Sequence, residues 1–246
     1  MIMQYRFTLG KNTVQLGASL AYPLYAWLLS HVTKEEGDLL HLQDTRPINQ
    51  YVYHNLAAQC DEWTVNLLTK DAIRLFAPAL DEATEASLHS SVVSFCRKEI
   101  TCVERPHTLI EKARAMQGSR FTLTLLSPTA FKQDGRYVIY PQEQLILQSL
   151  VNRWGLCFPD IPLDDVDATR AILQGLHITD YRLQTLRYAF KQTRIPSFQG
   201  RVILEARMPA PLMEVWKTLY CFAPYAGLGI KTALGMGGVG VESEQD

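Results

Sequence analysis

Cysteine is scarce in this sequence, and its positions do not suit a metal site or a disulfide framework. The chain has 246 residues and an odd number of cysteines, namely Cys60, Cys96, Cys102, Cys157 and Cys221. No C-x-x-C pair occurs, and no histidine lies at the spacing that would complete a zinc site. We therefore expect reduced, mostly buried thiols, no bound metal and no other cofactor.

Long apolar runs are also missing. The most apolar stretch, residues 14–32, is interrupted by Gln15, Pro23 and His31, whereas a membrane span needs about 20 predominantly apolar residues. The first ten residues alternate polar and apolar side chains and lack the basic region and apolar run of a signal peptide. The sequence therefore predicts a cytoplasmic protein without a membrane segment.

Neither sign of charge dominates the chain, since 24 lysines and arginines oppose 25 aspartates and glutamates. Net charge alone therefore does not indicate a nucleic-acid-binding protein. Locally, however, residues 182–207 contain one acid, Glu205, and six basic residues, Arg182, Arg187, Lys191, Arg194, Arg201 and Arg207. This segment is a candidate backbone-contacting surface. On charge alone, a solvated pair of strands balanced by acids elsewhere explains it equally well.

The hydrophobic patterns predict two halves of similar plan. In the first half we predict strands at 1–9, 51–54, 63–68 and 90–103 and helices at 17–31 and 71–80, with a short helix at 34–42 after a Thr33–Glu36 capping box. In the second half we predict strands at 121–126, 136–140, 178–190 and 200–206 and helices at 142–158, 164–175 and 212–222, with a hairpin turn at Asp134–Gly135.

This element order is the split arrangement of ferredoxin-like and RNA-recognition domains. We therefore predict an α+β fold with two tandem ferredoxin-like domains. The N-terminal domain is residues 1–105, the connection is residues 106–118, and the C-terminal domain is residues 119–246. The last domain contains the most unusual part of the sequence, its glycine-rich end.

Glycine recurs near the C-terminus, at positions 227, 229, 235, 237, 238 and 240. Glycine permits positive φ and close backbone approach, and successive amides in that geometry form a concavity that binds anions. A dinucleotide fingerprint does not fit, because a helix rather than a strand precedes the glycines. A P-loop does not fit either, because Ile230 separates Gly229 from Lys231 and no helix follows. A turn without a ligand is less consistent with glycines that alternate with apolar anchors around Lys231.

The glycines form a Gly-x-Gly pair, which is followed by five residues and a second Gly-x-Gly pair. At the end of a double ferredoxin-like chain, this pattern resembles the repeat-associated RNA-binding superfamily of CRISPR systems. Within it, the sequence is most similar to the endoribonucleases that process repeat RNA, in the form found with type III effector complexes. The resemblance extends over almost the whole chain and includes residues 126–131 (LSPTAF), 180–181 (DY), 195–200 (IPSFQG) and 222–227 (FAPYAG).

The resemblance implies that the protein binds CRISPR precursor RNA and cuts it within its repeats without a metal. The 2′-hydroxyl would attack the phosphate and leave a 2′,3′-cyclic phosphate and a 5′-hydroxyl. It also implies a transient association with a type III effector complex and leaves a homodimer open. The alternative is a non-catalytic RNA-binding subunit of such a complex, because related backbone proteins share the fold and the glycine loop.

The resemblance also indicates site residues. The family's catalytic histidine follows the first helix in a Leu-His pair upstream of Arg-Pro, which here is Leu40-His41 before Arg46-Pro47. Histidine can accept a proton near neutral pH. We predict His41 as the base, Arg46 on the phosphate and Tyr25, or alternatively Tyr22, orienting the 2′-hydroxyl. The predicted RNA contacts are Gly227, Gly229, Lys231, Gly235, Gly237, Arg187, Lys191 and Arg194.

Two alternatives stay open at this site. His31 is the main rival to His41, although a helix-capping role explains it well. Family members commonly pair the histidine with a nearby lysine, and here only Lys34 and Arg46 are close in sequence. The identity of the cation that stabilises the phosphate is therefore not decided by the sequence.

Overall fold

A computed structural model describes residues 1–10, 17–33, 35–37, 46–89 and 91–243. Its helices are α1 (Ala21–Leu29), α2 (Lys70–Glu82), α3 (Pro106–Ala115), α4 (Glu143–Cys157), α5 (Val166–Gly175) and α6 (Ala210–Ala226). Its strands are β1 (Ile2–Leu9), β2 (Ile48–Asn55), β3 (Cys60–Leu67), β4 (Glu85–Leu88), β5 (Ser91–Val103), β6 (Arg120–Thr129), β7 (Phe131–Gln133), β8 (Arg136–Val138), β9 (Leu176–Phe190), β10 (Thr193–Ala206) and β11 (Val239–Ser243). Short 3₁₀ helices lie at Ala18–Leu20 and Thr232–Leu234.

The first half is an antiparallel sheet in the order β2-β3-β1-β5-β4, with α1 and α2 packed on it. The short strand β4 was not predicted, because its four residues carry little pattern. The Thr33–Glu36 capping box is confirmed: the Thr33 N–H donates to Glu36 Oε2 over 3.1 Å, and the Glu36 N–H donates to Thr33 Oγ1 over 3.3 Å. Most of the short helix predicted at 34–42 lies outside the described residues.

The second half is an antiparallel sheet in the order β11-β6-β10-β9, with the β7–β8 hairpin beside it. The predicted turn is confirmed, because Asp134 and Gly135 both have positive φ, 49° and 76°. Together the two halves form tandem ferredoxin-like domains, as the order of elements predicted.

One strand boundary in this half was predicted wrongly. Residues 194–199 were expected to separate two strands, yet they belong to β10, which begins at Thr193. Pro196 pairs there with Arg187 of β9 alone, because β6 joins β10 only from Phe198 onwards. A strand that is paired on one side accommodates proline, which has no N–H to donate.

The connection between the halves is largely a helix. Of residues 106–118, Pro106–Ala115 form α3, which begins with proline at its first turn. Leu109 and Ala113 lie one turn apart and are buried in the core of the second half, and Arg114 forms a 2.8 Å ion pair with Glu214 of α6. The predicted connection therefore packs as part of the second half's helical layer.

The cysteines differ from expectation in their exposure. Cys157 and Cys221 are buried, Cys60 is half-buried, and Cys96 and Cys102 are exposed on β5, so the expectation of mostly buried thiols was wrong. All five are free thiols, as predicted. Among the helices of the described residues, none is long and apolar enough to cross a membrane.

Candidate functional site

The glycine-rich loop, residues 227–238, follows α6 and passes between the two halves. Gly227, Gly229, Gly235 and Gly237 adopt φ values of 71°, 75°, 106° and 72°. Residues other than glycine rarely adopt positive φ, so each glycine permits a local change of chain direction. The expectation that these glycines serve positive φ is confirmed.

Close packing gives the loop glycines a second role. A Cβ at Gly229 would overlap the carbonyl oxygen of Ala130, and a Cβ at Gly237 would overlap the carbonyl oxygen of Leu228. At Gly235 it would overlap Ala21, in the first half of the molecule. The loop is therefore seated against both halves rather than projecting from them.

Most loop amides donate hydrogen bonds inside the protein. The acceptors are Ala223 O for Gly227, Gly237 O for Leu228, Ser149 Oγ for Gly229, Ala130 O for Ile230, Lys231 O for Leu234 and Met236, Pro128 O for Gly237 and Ser127 Oγ for Gly238. We expected such amides to form an anion-binding concavity. These eight donors are occupied inside the protein, and the amides of Gly227, Gly229 and Gly237 are among them.

Three buried polar side chains hold the loop and the end of α6 in place. Gln50 of β2 donates from Nε2 to Ala21 O over 2.9 Å and to Ala233 O over 3.0 Å. Asn49 Nδ2 donates to Tyr225 O over 3.0 Å, and the Tyr188 hydroxyl donates to Leu234 O over 2.5 Å. Strands from both halves thus determine where the loop presents Lys231.

Lys231 is the loop residue best placed to meet an anion. It has a φ of 54°, and its Nζ lies 4.8 Å from the centre of the Phe190 ring. Partial burial lowers the pKa of Lys231, and the like charges of Arg46, Lys132 and Lys191 lower it further. A negatively charged ligand would relieve this repulsion.

An open cleft of about 470 Å³ lies beside Lys231. Among the described residues, the charged side chains that line it are all basic: Arg46, Lys132, Arg153 and Lys231. Tyr137 of β8 and the loop residues 229–234 complete the lining. The aromatic ring of Tyr137 is exposed and can stack on a planar group such as a nucleobase. The electrostatics and shape favour a polyanion that carries aromatic groups.

Arg46 and Tyr25, both predicted from the sequence, lie together but differ in access. Arg46 lines the cleft, donates from Nη1 to the Tyr25 hydroxyl over 3.3 Å and lies 5.6 Å from the centre of the Tyr25 ring. Tyr25 is only 2% exposed, and burial raises its pKa although Arg46 acts in the opposite direction. Tyr25 is thus placed to orient Arg46, whereas the predicted direct contact with a 2′-hydroxyl would need greater access.

The predicted basic residues of the β9–β10 hairpin separate into two groups. Lys191 lies at the turn, with its Nζ 5.7 Å from the centre of the Phe190 ring that Lys231 also contacts. Arg187 and Arg194 are exposed and lie on the strand face opposite to Tyr188, which packs toward the loop. The structure therefore brings Lys191 close to Lys231 and leaves the two arginines on another surface.

Comparison with known proteins agrees with this architecture. The family model described as CRISPR-associated endoribonuclease Cas6 matches residues 123–239. A curated Cas6 endoribonuclease from Streptococcus thermophilus is 31% identical over 228 residues, covering 92% of this chain and 93% of the relative. The chain belongs to the Cas6 family of CRISPR-associated endoribonucleases.

Further Cas6 proteins share its fold. A curated Cas6 from Mycobacterium tuberculosis is 26% identical over 92% of this chain and 72% of the relative. A solved Cas6 product complex superposes with a TM-score of 0.78 at 22% identity, covering 99% of this chain and 100% of the other. Similar solved chains include a Cas6 substrate-mimic complex and a histidine-to-alanine mutant of the same protein. At these low identities the solved structures establish the shared fold.

The histidine predicted as the Cas6 base, His41, lies outside the described residues. Its rival His31 follows α1, where its Nδ1 lies 2.8 Å from Trp27 O and its ring packs against Trp27 with centres 4.5 Å apart. This is the capping position that the sequence indicated for His31. The contact leaves the other ring nitrogen, Nε2, as its remaining polar atom.

Two cleft residues of this Cas6 were missed from the sequence, Lys132 and Arg153. Lys132 lies in β7, two residues before the turn at Asp134. A single surface lysine in the sequence does not indicate a binding site. Arg153 occupies the buried face of α4 between Leu150 and Trp154. A charged residue on an apolar helical face was a signal that could have identified it.

Proposed function

We propose that this Cas6 family member cuts CRISPR precursor RNA within its repeats, in the cleft beside Lys231. The observation that carries the proposal is the convergence of three basic residues, Arg46, Lys132 and Lys231, on one cleft. RNA offers such a cleft closely spaced phosphates and bases that can stack on Tyr137. Family membership supplies the reaction class, endonucleolytic cleavage of RNA.

The proposed chemistry uses the nucleophile that RNA itself carries. A base accepts the proton of the 2′-hydroxyl, and the 2′-oxygen bonds to the adjacent phosphorus. The bond from phosphorus to the 5′-oxygen breaks, and that oxygen takes up a proton to become a 5′-hydroxyl, leaving a 2′,3′-cyclic phosphate. General acid-base help of this kind contributes about 10²–10⁴-fold, and no bound metal is required.

We assign the base to His41 and the stabilisation of the phosphate to Arg46 and Lys231. His41 precedes Arg46 by five residues in the sequence, and Arg46 lines the cleft. The two cations compensate the charge that develops on the phosphate oxygens.

Cleavage of the organism's own repeat RNA in excess chelator tests this proposal. We expect the folded wild-type protein to cut once per repeat, and mass spectrometry to find a 2′,3′-cyclic phosphate on one product and a 5′-hydroxyl on the other. The His41→Ala variant should bind the RNA and lose at least about 100-fold in cutting rate, with His31→Ala as the matched control.

Three results would each contradict part of the proposal. Full cutting by His41→Ala would remove the assigned base. Loss of cutting in chelator while the circular dichroism spectrum persists would contradict metal independence. Tight binding without any cutting would instead indicate a non-catalytic RNA-binding subunit.

A further inference from the structure

A buried arginine beside the glycine-rich loop has an unused hydrogen-bond donor. Arg153 is only 7% exposed, and its Nη2 donates to Gly229 O over 3.3 Å. Its Nη1 is buried and has no hydrogen-bond partner among the described residues. Burial lowers the pKa of Arg153 to about 10. A buried charged donor without an acceptor is costly, which suggests that a ligand supplies the missing acceptor.

Arg153 lies where two openings in the surface meet. One is the cleft described above, and the other is a smaller pocket of about 230 Å³ on the α4 side of the loop. Lys132, Arg153, Gly229 and Ile230 line both openings. A strand that enters the cleft can therefore continue past Arg153 into the pocket.

The pocket has the composition of a nucleotide site. Gln148, Ser149 and Asn152 of α4 line it, and Gln148 and Asn152 are exposed and lie one helical turn apart. Side-chain amides both donate and accept hydrogen bonds, as the edges of nucleobases do. Phe131 and Leu145 supply the apolar part of the lining.

We propose that Arg153 and Lys132 bind a backbone phosphate of the RNA strand and that Gln148 and Asn152 contact the nucleotide attached to it. Arg153 can do so without releasing the loop, because the hydrogen bond to Gly229 O uses Nη2, whereas Nη1 has no partner among the described residues. Lys132 adds an exposed point charge. This subsite rests on the proposed RNA binding and uses residues other than His41 and Arg46, to which the cutting is assigned.

The subsite is also mechanically linked to the loop. The Gly229 N–H donates to Ser149 Oγ over 3.0 Å, so α4 holds both polar groups at this residue, one through Ser149 and one through Arg153. Occupation by a phosphate would fix the Arg153 guanidinium and with it the loop that presents Lys231. Binding at the pocket would then position the strand in the cleft.

Equilibrium binding of a repeat RNA that carries a 2′-deoxy nucleotide at the cut position tests the subsite. Affinity is measured over a range of salt concentrations for wild type, Lys132→Gln, Arg153→Met and the control Arg170→Gln, which removes an exposed charge that lines neither opening. We expect Lys132→Gln and Arg153→Met each to weaken binding about tenfold. The slope of log K against log salt should fall by about 0.7 in each for a single-stranded contact.

Gln148→Ala and Asn152→Ala separate the nucleotide contact from the phosphate contact. They should weaken binding about three- to tenfold without changing the salt slope, because they remove neutral hydrogen bonds only. The control Arg170→Gln should match wild type in both quantities. Thermal unfolding of every variant identifies losses of affinity that come from misfolding.

Several outcomes would overturn the subsite. Unchanged affinity and salt slope in Lys132→Gln would do so, and so would an Arg153→Met variant that loses thermal stability but keeps its salt slope. Because cutting is not measured, a wild type that never cuts would refute the proposed function and leave these results standing. A wild type that binds no RNA would refute both proposals.

Discussion

Gln50 donates a hydrogen bond to the carbonyl oxygen of Ala233, a residue 183 positions later in the sequence. The same Nε2 donates to Ala21 O of α1, and Gln50 Oε1 accepts from Trp63 Nε1 over 2.8 Å. One fully buried side chain therefore connects the first helix, the first sheet and the glycine-rich loop. This linkage places Lys231 relative to the N-terminal half, from which Arg46 comes.

Replacing Gln50 should destabilise the protein substantially. Gln50→Ala removes three buried hydrogen bonds, including the one that the Trp63 indole N–H donates, at a cost of about 3 kcal/mol in the free energy of unfolding. Urea denaturation measures this loss. The exposed Gln184→Ala should change the free energy by less than about 0.5 kcal/mol. Equal stability of the two variants would show that the buried amide does not hold the halves together.

Gly237 and Gly135 form a matched pair, because their φ values are 72° and 76°. A Cβ at Gly135 meets nothing within 4 Å, whereas a Cβ at Gly237 overlaps Leu228 O. Gly135→Ala should cost about 1–2 kcal/mol of unfolding free energy from backbone strain alone. Gly237→Ala should cost about 1–3 kcal/mol more, because the loop must also shift. Similar losses in urea denaturation would mean that close packing at Gly237 is unimportant.

Removing the charge of Lys231 should separate binding from stability. Lys231→Ala keeps a Cβ at the positive-φ position, so the backbone strain is unchanged. RNA affinity should fall about tenfold, as expected for a lost charged contact. Thermal stability should not fall, because the lysine's charged form is disfavoured in the free protein. Filter binding and thermal unfolding measure the two quantities, and unchanged affinity would contradict a phosphate contact.

The same lysine predicts a pH dependence of RNA binding. Burial and neighbouring cations lower the pKa of Lys231 from its ordinary value of 10.5, so its proton is lost at lower pH than in an ordinary lysine. Binding needs the protonated form, and affinity should therefore decrease as pH rises, beginning below 10.5. The ratio of wild-type to Lys231→Ala affinity isolates this effect. A ratio that stays constant up to the ordinary lysine pKa would contradict it.

Tyr25 should act through Arg46. Tyr25→Phe removes the hydroxyl that accepts from Arg46 Nη1 and keeps the buried ring, so we expect cutting to slow about three- to tenfold, as for one lost hydrogen bond. RNA affinity should change by less than about twofold, because Tyr25 itself is buried. Single-turnover cleavage compares it with Tyr22→Phe, whose ring packs edge-on against Phe190. A larger effect of Tyr22→Phe would favour Tyr22 as the functional tyrosine.

Local patterns were sufficient for much of the secondary structure. The capping box at Thr33 and Glu36 and the hairpin turn at Asp134 and Gly135 depend on residues close in sequence, and both formed as predicted. The strand β4 and the continuation of β10 through Pro196 were not predictable in this way. Whether these residues form strands depends on the neighbouring strand that they pair with. Strand pairing is decided by the tertiary structure.

The sequence by itself determined the tandem ferredoxin-like plan, the family and the need for glycine at the loop's positive-φ positions. Periodicity, motif order and backbone geometry depend on residues that are close in the sequence. Only the tertiary structure decided which cations share the cleft. It brought Arg46, Lys132, Arg153 and Lys231 together from distant segments, placed Arg187 and Arg194 on another face, and gave most of the loop amides internal acceptors. These charges come together because elements far apart in the chain pack against one another, and a local sequence pattern does not predict that packing.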